Sequence, residues 1–112
     1  MVQYSKRLDS SFAALSDATR RGILQRLGKR EATITELAEA FDLTLTGIKK
    51  HVTVLEDAGL VTTEKVGRVR TCRLGPDTLE AETAFMETYR KMVESRLDHL
   101  AAFLERTQGD PS

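Results

Sequence analysis

Residues 33–74 read TITELAEAFDLTLTGIKKHVTVLEDAGLVTTEKVGRVRTCRL, and a change of period inside this stretch decides the fold. Thr33 and Glu36 stand three apart at the head of a short apolar run, the spacing of a capping box in which hydroxyl and carboxylate satisfy free backbone N–H groups reciprocally. Leu37, Ala38 and Phe41 then share one side of a short helix that stops at Asp42-Leu43. Thr44 caps a second helix over 45–58, with Ile48, Val52 and Leu55 at i, i+4, i+7 as its core stripe and Gly59 placed to terminate it. From Leu60 onward the helical period gives way to an extended one. Residues 60–66 are rich in β-branched types, Gly67-Arg68 is a turn, and 69–74 alternates, which reads as a β-hairpin.

Two short helices joined by a tight turn and followed by a hairpin make the winged helix-turn-helix pattern, whose second helix enters the DNA major groove. The face of that helix opposite its core stripe carries Thr46, Lys49, Lys50, Thr53 and Asp57 at i, i+3, i+4, i+7, i+11. The first four are hydroxyl or ammonium donors, able to meet base edges or phosphates. Thr44 and the free N–H groups at the helix start suit a phosphate as well. Arg68 and Arg70 fall at or near the hairpin tip, with Lys65 on the approach; such residues follow the backbone or enter the minor groove, and they also keep an edge strand from pairing with another chain. For His51, beside the buried stripe, two roles stay open: bracing the helix or donating to a phosphate.

Outward to the N-terminus, Leu8, Phe12 and Leu15 form a helical stripe over 5–15. Ser16-Asp17 can cap a helix over 18–28 that buries Ile23, Leu24 and Leu27. Outward to the C-terminus, Gly75-Pro76 breaks the chain, and Asp77 or Thr78 can cap a helix over 77–106 that contains no Gly or Pro. Its Met86, Tyr89, Val93, Leu97, Leu100 and Leu104 are spaced 3, 4, 4, 3, 4, a heptad-like seam that fits a second copy of itself. The organisation is therefore one domain over 1–112: helix-turn-helix 33–58, wing 60–74, dimerisation helix 77–106.

The 112 residues carry 17 Lys/Arg and 17 Asp/Glu, a formal net charge of zero. Taken whole, that balance argues against a nucleic-acid partner. Divided, it does not: residues 1–75 hold 13 basic and 9 acidic side chains, a balance of +4, and 76–112 hold 4 and 8, a balance of −4. No stretch reaches the ~20 apolar residues of a membrane helix, and no export signal is evident at the N-terminus. With a single Cys as well, the expectation is a cytoplasmic protein with no membrane partner. A Gly-rich phosphate loop, HExxH and a plausible Ser/His/Asp set are all missing, so an enzyme is not expected.

The runs FAALSDATRRGILQRL, ITELAEAF, LTGIKKHVTVLEDAGLV and VGRVRTCRL, within residues 8–104, resemble the ArsR/SmtB family of bacterial transcriptional regulators. The resemblance implies a dimeric winged helix-turn-helix repressor, mainly α with a small β-hairpin. Its first and last helices would form the dimer interface, adding Leu8 and Phe12 to the seam. It implies DNA contacts at Thr44, Thr46, Lys49, Lys50 and His51, and at Arg68 in the wing. Departures matter too. Metal-sensing members carry Cys-x-Cys on the helix before the reading helix, where this chain has TELAEAFD, without Cys or His. A second family site on the last helix needs an Asp, two His and a Glu; here only His99 remains, with Met86, Thr88 and Ala102 at the other positions. Tetrahedral zinc needs about four donors, so the resemblance is to the branch that does not sense metals, with no cofactor and no metal site. Cys72 stands where many relatives have a wing tyrosine, and its parity with Leu74 points it inward as a small buried hydrophobe; a redox role would need an exposed, low-pKa thiol.

The expected function is thus a homodimeric repressor reading an inverted-repeat operator in double-stranded DNA, with room for a small-molecule effector of unstated chemistry. The alternative is a winged-helix protein-interaction module without DNA sequence specificity, since fold does not fix function.

Overall fold

The computed structural model describes residues 6–108, so the two ends of the 1–112 assignment lie outside the described residues. The elements run α1 (Lys6–Leu15), α2 (Ala18–Leu27), β1 (Ala32–Thr33), α3 (Ile34–Ala40), α4 (Leu45–Asp57), β2 (Val61–Val66), β3 (Val69–Leu74) and α5 (Glu80–Gln108). Backbone contacts divide them into two compact units, one ending at Leu79 and one beginning at Glu80.

In the first unit the local signals act as the spacing implies. Thr33 Oγ1 accepts from Glu36 N at 3.1 Å and Glu36 Oε1 accepts from Thr33 N at 3.0 Å, so the capping box is complete. Thr44 Oγ1 accepts from Gly47 N at 3.0 Å. Asp17 takes the same place for α2, accepting from Arg20 N at 3.1 Å. Helix α4 ends in a Schellman motif: Gly59, at φ +80°, donates to Glu56 O, and Leu60 donates to Leu55 O, both at 2.9 Å. Helix α3 ends the same way with Asp42 at φ +52° and Leu43 N bonded to Ala38 O. Asp tolerates this left-handed position better than most residues, and the result is the tight turn between α3 and α4.

The sheet has three antiparallel strands in the order β1-β3-β2. The hairpin pairs Val61 with Leu74 through to Val66 with Val69. Of its two turn residues only Gly67 has positive φ, +63°, the type II′ pattern with Gly first. The short β1 pairs Ala32 with Cys72 and Thr33 with Thr71; two residues give no periodicity to read, and the sequence does not announce this strand. The core gathers Ala14, Ile23, Leu27, Ile34, Leu37, Ile48, Val52, Leu55, Leu60, Val61 and Cys72, among others, with Leu15, Leu24, Phe41 and Leu79 packed against it.

On α1, Ser11 and Ala14 are buried, and the stripe Leu8, Phe12 and Leu15 is half-buried beside them. Two expectations need correction. Cys72 is fully buried, yet Leu74, on the same side of β3, is 49% exposed, so parity with Leu74 was the wrong reason. Cys72 joins the core on the stretch of β3 that is flanked by both β1 and β2, and α2 and α3 pack against that strand. Lastly, Asp77 does not cap a helix beginning at 77. Its Oδ1 accepts from Leu79 N at 2.8 Å, its Oδ2 lies 3.3 Å from Arg7, and the helix begins at Glu80.

The second unit is α5, 29 residues and roughly 44 Å long at 1.5 Å per residue. Its large apolar side chains, Phe85, Met86, Tyr89, Met92, Val93, Leu97, Leu100, Phe103 and Leu104, are each between 38% and 58% exposed. Arg90 bridges Glu87 at 2.6 Å and Glu94 at 2.7 Å, i,i+3 and i,i+4 pairs that support the helix at the border of the apolar strip.

Candidate nucleic-acid interface

Helix α4 is held by its inner side, where Ile48, Val52 and Leu55 are at most 1% exposed. That fixes the rotation of the helix and leaves Thr46, Lys49, Lys50, Thr53 and Asp57 exposed on the opposite side. Thr44 is exposed at the helix start. Its oxygen already serves Gly47 N, and its hydroxyl hydrogen remains available as a donor.

Lys49 stands on a ridge between two depressions. One, along α4, is lined by Thr46, Lys49, Lys50, Thr53 and Val54. The other is a groove of about 470 Å³ between the starts of α3 and α4 and the wing, lined by Thr33, Ile34, Thr35, Leu45, Lys49, Lys65, Arg68, Val69 and Arg70. The groove therefore brings Lys49 from the helix and Lys65 and Arg68 from the wing to one place. Val66 and Val69, beside the wing turn, are 70% and 52% exposed, so the tip is an apolar pair around Arg68.

The cations of this region fall into two groups. Lys49, Lys50, Lys65 and Arg68 have no carboxylate partner among the described residues. Arg70 and Arg73 do. Arg73 bridges Glu31 at 3.1 Å and Glu64 at 3.4 Å. Arg70 Nη2 donates to Glu56 Oε1 at 3.2 Å and to Thr63 Oγ1 at 3.1 Å, and Thr63 in turn donates to Glu56 Oε2 at 2.6 Å. Arg70 thus joins the last turn of α4 to both strands of the wing. It is half-buried in this tie and also forms part of the groove's lining.

His51 is half-buried on the flank of α4. Its Nδ1 lies 3.4 Å from Arg20 Nη1 and 3.9 Å from Asp17 Oδ2. Arg20 also donates to Ala14 O at 2.8 Å and Ala13 O at 2.9 Å, and Arg21 donates to Leu15 O at 2.8 Å. These arginines add donors to carbonyls at the end of α1, where the helix itself runs out of N–H groups; Ala13 O also accepts from Ser16. Their roles were missed in the sequence because the partner is backbone; the adjacent pair in DATRR was the available signal. The hydrogen bond from the Arg20 backbone N–H holds the Asp17 carboxylate below its ordinary pKa.

Burial pushes the Cys72 thiol up, away from the thiolate that sensing chemistry needs. Among the described residues no group of three or more His, Cys, Asp or Glu converges to hold a metal ion, and no helix is long and apolar enough to cross a membrane.

Comparison with known proteins gives three kinds of match. A family model described as a helix-turn-helix domain matches residues 15–64. The uncharacterized HTH-type transcriptional regulator YuzN of Bacillus subtilis is 48% identical over 69 residues, covering 55% of this chain and 75% of the relative. The crystal structure of an ArsR family transcriptional regulator superposes with a TM-score of 0.75 at 42% identity, covering 85% of this chain and 98% of that one. A more distant likeness, at 20% identity and TM-score 0.62, covers 81% of this chain and 91% of a homodimeric winged helix-turn-helix DNA-binding domain from Mycobacterium bovis; it supports the fold alone.

Proposed function

Since this chain belongs to the ArsR family of winged helix-turn-helix transcriptional regulators, we propose that it is a cytoplasmic repressor that binds an inverted-repeat operator as a homodimer. The observation that carries this reading is the distribution of unpaired cations. Lys49 and Lys50 on the exposed side of α4, and Lys65 and Arg68 on the wing, have no carboxylate partner among the described residues, while the neighbouring Arg70 and Arg73 are paired within the fold. Unpaired cations attract phosphates and release counterions when they meet them. In this reading Thr46 and Lys49 face bases. Lys50, Thr53, Arg68, His51 and the Thr44 helix start hold phosphates, and Arg70 sets the wing. A second copy covers the apolar side of α5 together with Leu8 and Phe12. Two reading helices would then enter major grooves about 34 Å apart. The inducing signal is not a metal at the two usual family sites, because α3 offers no Cys or His and α5 offers only His99 among the expected donors.

The test is a titration of the protein against the DNA upstream of its own coding sequence and against random DNA, over a range of salt. The wild type should prefer its own upstream DNA. Lys49→Ala/Lys50→Ala should weaken binding and flatten its salt dependence, by about 0.9 in log–log slope for each phosphate that is no longer neutralised. An unchanged affinity and slope in that double variant would remove α4 from the interface.

A further inference from the structure

Arg20 sits where α1, α2 and α4 meet. Two of its nitrogens are committed to carbonyls, Nε to Ala14 O at 2.8 Å and Nη2 to Ala13 O at 2.9 Å, and Nη1 faces His51 Nδ1 at 3.4 Å. A guanidinium has donors and no acceptor, and it stays charged in proteins. The imidazole nitrogen facing it must therefore offer a lone pair. A neutral imidazole carries one ring N–H, so the hydrogen belongs on Nε2. Asp17 does not reverse this: its Oδ2 is 3.9 Å from Nδ1, beyond hydrogen-bond reach, and already accepts from Arg20 N.

We propose that Arg20 is a positioning residue for DNA binding: it holds His51 in the Nε2–H tautomer, so that this N–H donates to a DNA phosphate. The proposal rests on the DNA-binding reading above and adds the atom and the protonation state. His51 lies five residues after Thr46, roughly 140° round the helix at about 100° per residue. It is thus on the flank of α4 and not on the side that would meet base edges. A donor on the flank of a helix lying in the major groove meets the sugar–phosphate wall, where half to two-thirds of protein–DNA hydrogen bonds are made. A quarter of the His51 side chain remains exposed for such a contact. Arg20 reaches three acceptors in three directions because its donors are set in a planar fork, which a lysine cannot reproduce.

Two measurements on the full chain test this. Long-range nitrogen–hydrogen NMR of the imidazole rings at neutral pH, with His51 separated from His99 by a His51 variant, should show the Nε2–H pattern for His51. In Arg20→Lys that pattern should become a mixture. An Nδ1–H pattern in the wild type, or an unchanged one in Arg20→Lys, overturns the role of Arg20. Second, a glutamine amide places its NH₂ near the position of Nε2 and an asparagine amide near that of Nδ1. His51→Gln should keep operator affinity within about threefold, while His51→Asn should lose tenfold or more. Equal loss in both, or no loss in His51→Asn, overturns the phosphate contact. If the wild type shows no preference for its upstream DNA, it is the DNA-binding reading that fails, and the ring spectrum still decides the tautomer.

Discussion

At Gly75 a side chain has no room. A Cβ there would overlap the carbonyl oxygen of Gly59 and stand 3.0 Å from Val61 N, both backbone atoms that cannot rotate away. The glycine also donates to Leu60 O at 2.8 Å, stitching the wing's exit to its entrance. Gly75→Ala should destabilise the fold by about 1–3 kcal/mol, the usual cost of overpacking. The check is a lower urea midpoint with an unchanged m-value; an unmoved midpoint would show that the backbone yields there. The residues whose roles could be read beforehand act on neighbours in sequence: Thr33 with Glu36, Asp17 with Arg20 N, Thr44 with Gly47, Gly59 at the end of α4. Those that could not, Arg20, Arg21 and Gly75, act on backbone groups six or more residues away, and no spacing rule reports such a partner. Cys72 lies between these cases: its burial was foreseen, but for a reason that the exposed Leu74 contradicts.

Among elements, the reading helix and the wing are joined by the Glu56, Thr63 and Arg70 network. Each group answers another, with the Glu56 carboxylate accepting from a hydroxyl on β2 and a guanidinium on β3. Tying a hairpin to a helix in this way sets the distance between the two parts that would touch DNA before DNA arrives, which lowers the ordering cost of binding. Glu56→Gln should loosen the tie while leaving the cap and core of α4 intact. Amide exchange in β2 and β3 should speed up, and operator affinity should fall about three- to tenfold. Unchanged hairpin exchange would show that the strands hold the wing without help. The helices and the hairpin were legible because each repeats its period several times. The strand β1 and the start of α5 were not. One is two residues long, and the other is delayed by an Asx-type bond from Leu79 N to Asp77, where a cap had been expected.

For the molecule as a whole, the zero net charge is the sum of two opposite balances. Its basic excess lies in residues 1–75, and its acidic excess lies in residues 76–112, of which α5 is the greater part. The apolar strip of α5 spans about 140° of the helix circumference at 100° per residue, wider than the narrow seam of a simple coiled coil. The spacing of Met86 through Leu104 showed the seam; Phe85, Met92 and Phe103, which broaden it, were not counted. Leu97→Asp/Leu100→Asp should give a monomer by sedimentation with its helical content retained. Operator affinity should drop on the order of 10²-fold or more as two linked contacts become one. A fully dimeric double variant would place the interface elsewhere. The boundary at Leu79 also has a bearing on how the protein is made. Among the described residues, the fourteen buried side chains of the apolar core all lie at or before Cys72, and domains fold from the N-terminal end during synthesis. The core residues of the winged unit are thus all synthesised before α5, whose apolar strip follows them out of the ribosome.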